Sequence, residues 1–426
     1  MKSLRPVRGT HDLLPADQRQ HRHVIDAARE AAALYGYEEV GTPILEFAEV
    51  FRRTLGDTSD IVTKEMFTVA QGDEDVVLRP EGTAGVVRAV MTGGLTQSLP
   101  LKFFYSGPMF RYERPQKGRQ RQFHQVGVEL IGVAEPLGDV EVIALAVQFL
   151  RRIGVLERTV LEINTLGDTQ SRTAYRQVLV DYLSRHRDAL SDDSRQRLDR
   201  NPLRILDSKH EGDRALIADA PMLGDHLTDS AAAFFDGVRD GLQALDIPCA
   251  INPRLVRGLD YYGHTAFEFT TDALGAQGTV LAGGRYDGLM EMMGGPAVPG
   301  VGWAAGIERL ALLIGEAPAV SRPVAVIPVG DAAEGEALRL TQALRAAGVA
   351  ADLAFRGNLK RRMARADKVN ARVAILIGDD ELAAGAGTVR DLDTGSQRRM
   401  PLDAIVPFLC GGGSVEEAED VPAREA

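Results

Sequence analysis

Cysteine is nearly missing from this chain of 426 residues: Cys249 and Cys410 stand far apart and outside any CxxC pair. A disulfide framework and a structural zinc site are therefore not expected, and a reducing cytoplasm is the default compartment. Long apolar runs are missing too. No stretch approaches the roughly 18 apolar residues of a membrane span, and the opening MKSLRPVRGTHD has no apolar core of signal-peptide type. The expectation is a cytoplasmic chain with no membrane partner. GxxxxGK[ST], GxGxxG and HExxH are all absent, which leaves the common phosphate-loop sites and a zincin-type metal centre unsupported. Excess positive charge is lacking as well, 49 basic residues facing 60 acidic ones for a formal net charge of −11. That balance disfavours indiscriminate nucleic-acid binding but permits a specific site where cations are concentrated locally.

Present are enough apolar residues (45%) for a sizeable core, and a length that exceeds one ordinary domain. A helical pattern spans about 17–35, with Val24, Ile25, Ala28, Ala32 and Leu34 on one face and Asp17 as a candidate cap. His21, Arg22 and His23 within it point in different directions and read as solvated surface or ordinary packing. From 76 to 130, short β-like runs alternate with turns, and a hairpin around the basic stretch follows. A helix near 138–153 and a strand at 160–168 come next. Residues 170–245 are rich in Arg and Asp, lack strand signals and read as a helical insertion. Strands return at 265–271 and 279–282, and a glycine-rich segment at 294–302 leads into a helix expected around 303–315. After the linker EAPAVSRP, apolar strands alternate with helices, the pattern of a small α/β domain with buried parallel strands. The tail GGGSVEEAEDVPAREA has the composition of a disordered segment. Domains are thus expected at 1–318, with the insertion at about 170–245, and at 319–410, followed by the tail 411–426.

FRYERPQKGRQRQFHQ, residues 110–125, concentrates Arg111, Arg114, Lys117, Arg119 and Arg121 against Glu113 alone, with Phe110, Tyr112 and Phe123 interleaved. Guanidinium forks suit phosphate, and a ring beside them suits a purine. Standing alone, the segment reads equally as a solvated hairpin with a charged tip. LRPEGTAG places Glu81 and Thr83 where a strand meets a helix; the pair can accept bonds from an ammonium group or cap that helix. LVRGLDYYGHTAFEF gathers Arg257, Asp260, Tyr261 and Tyr262 before a strand, AGGRYDGL offers two glycines for close backbone approach, and GVGWAAGIERL brings Arg309 in a small-residue helix. The basic helix near 358–370, with Lys360, Arg361, Arg362, Arg365 and Lys368, is a candidate phosphate-contacting face or a solvated one.

In this order and spacing the segments resemble histidyl-tRNA synthetases, a family of class II aminoacyl-tRNA synthetases, over nearly the whole chain from VRGTHDLLP at 7–15 to VAILIGDDEL at 373–382. FRYERPQKGRQRQFHQ is similar to motif 2 of the class and GIERL to motif 3. LVRGLDYY and AGGRYDGL look like the two signatures of the histidine enzymes, and NPLRILDSK like part of their insertion. The resemblance implies an α+β catalytic domain, with a mainly antiparallel sheet flanked by helices, and a C-terminal α/β anticodon-binding domain. It implies ATP as substrate with Mg²⁺, L-histidine and tRNA(His) as partners, and a homodimer with the segment near 40–60 at its interface. It also assigns residues. Glu81, Thr83 and Gln125 would hold the α-ammonium of histidine. Glu129 and Tyr262 would read the imidazole nitrogens, with Tyr261 and Tyr286 shaping the pocket. Arg111 and Arg309 would clamp phosphates, with Arg119 and Arg121 beside them; Phe123 would stack on adenine and Glu113 would contact its amino group. Arg257 would stand at the α-phosphate, and Arg114, Gln116 and Arg8 at the acceptor end of the tRNA. A synthetase-like regulatory subunit that senses histidine without charging tRNA is a rival reading. It typically lacks the C-terminal domain and departs around Arg257, and both are intact here. His264 is assigned no role.

Overall fold

The structure, a computed structural model, describes residues 4–56, 59, 61–69, 74–208, 210–256, 261–316 and 318–413. Arg257, Asp260 and the tail from 414 onward lie outside the described residues. Two compact units emerge, Met1–Pro318 and Ala319–Ala426.

Among the described residues, eleven strands belong to the first unit: β1 (Glu38–Glu39), β2 (Leu45–Phe47), β3 (Phe67–Val69), β4 (Val76–Leu78), β5 (Leu101–Phe110), β6 (Gln122–Ile131), β7 (Val160–Thr165), β8 (Ala250–Ile251), β9 (Gly263–Thr270), β10 (Thr279–Arg285) and β11 (Gly300–Gly306). Eight form one sheet in the order β1, β5, β6, β11, β10, β9, β7, β8, and β2, β4 and β3 form a small sheet beside it. The five inner pairings of the large sheet are antiparallel; β1 and β8 pair parallel at its edges. This is the mainly antiparallel sheet that the resemblance implies.

Side chains alternate across a strand, and β6 shows what that achieves. Val126, Val128 and Leu130 enter an apolar layer with Val24 and Ala28 of helix Pro15–Leu34 and Phe149 of helix Pro136–Arg152. In that layer Phe149 stacks on Trp303 at 5.8 Å, and the indole N–H donates to the Val142 carbonyl at 3.0 Å. Ile131 and the partly buried Phe123 join the opposite layer, which holds Phe51, Tyr105, Met109 and Val86 of helix Thr83–Thr92. Phe123, Gln125, Glu129 and Ile131 therefore share one face and the apolar even-numbered residues the other.

Two readings of local structure change. The helix expected around 303–315 begins at Ile307, because GVGWAAG is strand β11, hydrogen-bonded between β6 and β10. Its small residues make room for neighbours' side chains, not for helix packing. In the first helix Pro15 occupies the first turn and Leu14 the N-cap, so Asp17 acts through the helix dipole in the first turn instead of as the cap.

The insertion is helical as expected, with helices Thr169–Arg185, Asp192–Arg200, Glu211–Ala218 and Asp229–Ala244. Its own apolar cluster includes Tyr175, Leu179, Leu183, Leu198 and Ile205. Asp213 holds it together by accepting from the Ser191, Ser194 and Ser208 hydroxyls, which with the Ser191 amide draw its carboxyl down to about 2 against burial that would raise it.

The second unit contains β12 (Val324–Pro328), β13 (Ala351–Leu353), β14 (Val373–Ile377), β15 (Ala386–Asp391) and β16 (Gln397–Pro401), in the order β13, β12, β14, β15, β16. The first three are parallel, as the apolar runs suggested, and β15–β16 extend the sheet as an antiparallel hairpin. That hairpin escaped the sequence reading because AGTVRD and QRRMP carry charges along an edge in place of a continuous apolar run. The basic helix spans Leu359–Lys368, capped by Asn358. Its cations divide: Arg362 is buried, donating to the Pro328 carbonyl, Arg365 pairs with Asp352 at 2.7 Å, and Lys360, Arg361 and Lys368 are exposed.

Candidate active site

A cavity of about 230 Å³ opens over the faces of β6, β10 and β11 beneath the tip of the β5–β6 hairpin. Glu81, Thr83, Arg111, Glu113, Arg119, Phe123, Gln125, Tyr261, Tyr262 and Arg309 line it. Segments separated by more than two hundred residues thus converge on one concavity.

Glu81 stands just ahead of helix Thr83–Thr92 and accepts the amides of Thr83 at 2.7 Å and Ala84 at 2.8 Å. Burial pushes its carboxyl upward, opposed by those two amides and by the Arg111 charge. The Thr83 hydroxyl donates to Glu129 Oε1 at 2.7 Å, and the Tyr286 hydroxyl donates to Glu129 Oε2. Glu129 is fully buried beneath the cavity floor, and burial, only partly offset by the Tyr286 and Thr83 hydroxyls, raises its carboxyl to about 8. Such a group exchanges a proton near neutrality. The glycines on the adjacent strand β11 explain how it fits. A Cβ at Gly302 would lie 1.9 Å from Glu129 Oε2, and one at Gly300 would lie 2.3 Å from the Tyr286 ring. Tyr261 packs against Tyr262 at 4.6 Å and edge-on to Tyr286 at 5.9 Å, closing the pocket with rings.

Cations gather on the other side. Arg111 donates through Nε to the Pro80 carbonyl at 2.9 Å and lies 5.4 Å from the Phe123 ring centroid. Arg119 pairs with Glu113. Arg309, third residue of helix Ile307–Ile314, reaches the Thr279 carbonyl at 2.6 Å and the Gly118 carbonyl at 3.3 Å, fastening the hairpin tip to β10. All three guanidinium groups are pulled below their usual range. Burial acts first in each; like charge adds to it, from Arg119 and Arg111 on Arg309 and from Arg111 on Arg119, while Glu65 and Glu81 oppose it at Arg111. A concavity in which cations depress one another is relieved by an anion. Between the two halves, the side-chain oxygen of Gln125 is buried and has no hydrogen-bond partner.

Arg121 departs from this group. Its guanidinium lies over the Tyr112 ring at 3.6 Å, Nε donates to the Glu113 carbonyl at 3.1 Å, and its amide donates to the Gly9 carbonyl at 2.8 Å. It is not among the residues lining the cavity; it ties the hairpin to the N-terminal segment. Arg8, Arg114 and Gln116 are exposed around that hairpin. His264, at φ 43°, packs its ring on Phe234 at 4.6 Å, and burial lowers its pKa.

Sequence reasoning missed three supports. Arg285 of the AGGRYDGL segment is fully buried and paired with Asp139, which sits in the first turn of helix Pro136–Arg152; a charge in that apolar run was the available signal. Tyr105 is buried against Gly82 and Gly127. Glu308 accepts the His124 amide at 3.0 Å and His124 Nδ1 at 2.8 Å, fixing β6 between Phe123 and Gln125.

Known proteins supply an independent comparison. A family model described as "Histidyl-tRNA synthetase" matches residues 9–310, and one described as "Anticodon binding domain" matches residues 323–410. The chain is 60% identical over 412 residues to a "Histidine--tRNA ligase" of Gluconacetobacter diazotrophicus, covering 96% of this chain and 99% of the relative. It is 60% identical over 411 residues to the protein of that name from Rhodospirillum rubrum, with the same coverage. A crystal structure of apo S. aureus histidyl-tRNA synthetase superposes with a TM-score of 0.81 at 34% identity, covering 96% of this chain and 100% of that one.

Proposed function

The chain belongs to the histidyl-tRNA synthetase family and is an enzyme that joins histidine to tRNA, and from that premise we propose that its cavity seats ATP and histidine side by side. The observation that carries the proposal is the cluster of Arg111, Arg119 and Arg309 beside an amide oxygen, Gln125, that has no partner. A polyphosphate satisfies the first and an ammonium group the second.

In this reading Glu81, Thr83 and Gln125 take the α-ammonium of histidine. Glu129 and Tyr262 address the two imidazole nitrogens, with Tyr261 and Tyr286 as walls. A buried polar pocket of this kind rejects a ligand that leaves its groups unpaired. Phe123 stacks on adenine and Glu113 meets its amino group, for which the Glu113–Arg119 pair must open. Arg111, Arg119 and Arg309 hold the phosphates, Mg²⁺ arriving with the nucleotide, and Arg121 acts by holding the hairpin. Arg257 is assigned to the α-phosphate from the family likeness alone.

The histidine carboxylate then attacks the α-phosphorus, forming histidyl-adenylate as pyrophosphate leaves. The 3′-terminal ribose hydroxyl of tRNA(His) attacks the activated carbonyl and AMP leaves. Both steps ask chiefly for alignment and charge stabilisation. Arg8, Arg114 and Gln116 meet the acceptor end, and the second unit meets the anticodon. A cytoplasmic homodimer completes the proposal, supported by exposed Ile44, Leu45 and Phe47 on and before the edge strand β2. No described helix is long and apolar enough to cross a membrane.

Pyrophosphate exchange with each amino acid in turn, followed by tRNA charging, tests this reading. Exchange with histidine alone is expected; exchange with another amino acid, or none, overturns it.

A further inference from the structure

On the His124 face of β6, helix Pro15–Leu34 and helix Ile307–Ile314 bring three donor side chains together, Glu308 also lining the cavity. His21, His124 and Glu308 each offer one ligand atom, and these atoms all lie within 4.8 Å of one another. We propose that His21, His124 and Glu308 form a binding site for a borderline divalent cation of the Zn²⁺ class.

Two imidazoles and a carboxylate are a donor set that suits zinc, with remaining positions open to water. Hard cations such as Mg²⁺ prefer oxygen throughout. His21 is 4% exposed, and its Nδ1 is buried without a hydrogen-bond partner. A buried lone pair or N–H with nothing to meet is costly, and the His21 ring meets that of His124 edge-on at 5.2 Å.

Glu308 is already oriented, since both its oxygens take the His124 amide at 3.0 Å. In the metal-free state it also accepts from His124 Nδ1 at 2.8 Å. Ligation replaces that hydrogen bond with two bonds to the ion, and the ring keeps its proton on Nε2 through a change of tautomer. Donors around a tetrahedral zinc stand roughly 3.3 Å apart, so the three ligand atoms draw closer together on binding. His21 takes no part in the proposed chemistry, which allows the metal site to be removed without touching the reaction.

The test uses the full chain with Cys249→Ser and Cys410→Ser, so that exposed thiols do not compete. Co²⁺ is titrated first, its visible d–d bands are read, and Zn²⁺ is then added. The proposal expects one equivalent with the intense bands of a four- or five-coordinate ion, displaced by Zn²⁺. His21→Ala is expected to weaken binding by at least about tenfold, with histidine-dependent exchange unchanged in buffer that holds Mg²⁺ but no transition metal, and His23→Ala to bind as the parent does. Because alanine at position 21 keeps the helix, loss of binding there reports the ligand. Absent bands, or equal affinity in the His21→Ala protein, would overturn the site.

Discussion

Glu129 on β6 and Gly302 on β11 face one another in register, and a Cβ at Gly302 would fall 1.9 Å from the carboxylate. The buried Glu129 carboxylate therefore fits because its neighbour strand has no side chain there. Gly302→Ala is expected to lower stability by about 1–3 kcal/mol through overpacking and to weaken histidine binding more than ATP binding. Urea unfolding and calorimetric titration of the two ligands check this; a variant with parental histidine affinity would contradict it.

A pH effect follows from the same carboxyl. Burial lifts Glu129 from 4.5 to about 8, so between those values the native state holds more protons than the unfolded chain. Its contribution to stability is thus greatest in acid and declines as pH rises through that window. Glu129→Gln, neutral throughout, should flatten this part of the profile. Urea midpoints measured from pH 5 to 8 on both proteins give the comparison, and parallel profiles would refute the assignment.

Arg257→Ala is expected to keep histidine affinity within a few-fold while slowing pyrophosphate exchange by roughly a hundredfold or more, the scale for losing one placed charge stabiliser. Exchange near the parental rate would remove Arg257 from the reaction.

Within the second unit, Arg362 and Lys360 are one turn's neighbours with different tasks. Arg362→Ala strands the buried Pro328 carbonyl and should cost about 1–3 kcal/mol of stability. Lys360→Ala should leave melting unchanged and reduce the salt dependence of tRNA binding by about one unit of slope. The reverse pattern would show that the exposed cations do not meet RNA.

How far the chain was legible depends on how local each cause is. The hairpin around the basic stretch could be expected because the β-like runs that flank it are written in the segment itself. The helix Pro136–Arg152 announced itself by its apolar stripe. GVGWAAG read as the start of a helix because what makes it a strand, the Glu129 carboxylate and the Tyr286 ring filling the space above its glycines, comes from distant segments. Arg121 looked like another phosphate ligand until Tyr112 and Gly9 claimed it. His21 read as surface or packing because its partners, His124 and Glu308, lie more than a hundred residues away.

Diffraction from crystals soaked with histidine and a non-hydrolysable ATP analogue is the most direct test of the central claim. The account predicts the imidazole between Glu129 and Tyr262, and the triphosphate among Arg111, Arg119 and Arg309 in the same cavity. Ligands in separate cavities, or phosphates that touch none of these arginines, would contradict it.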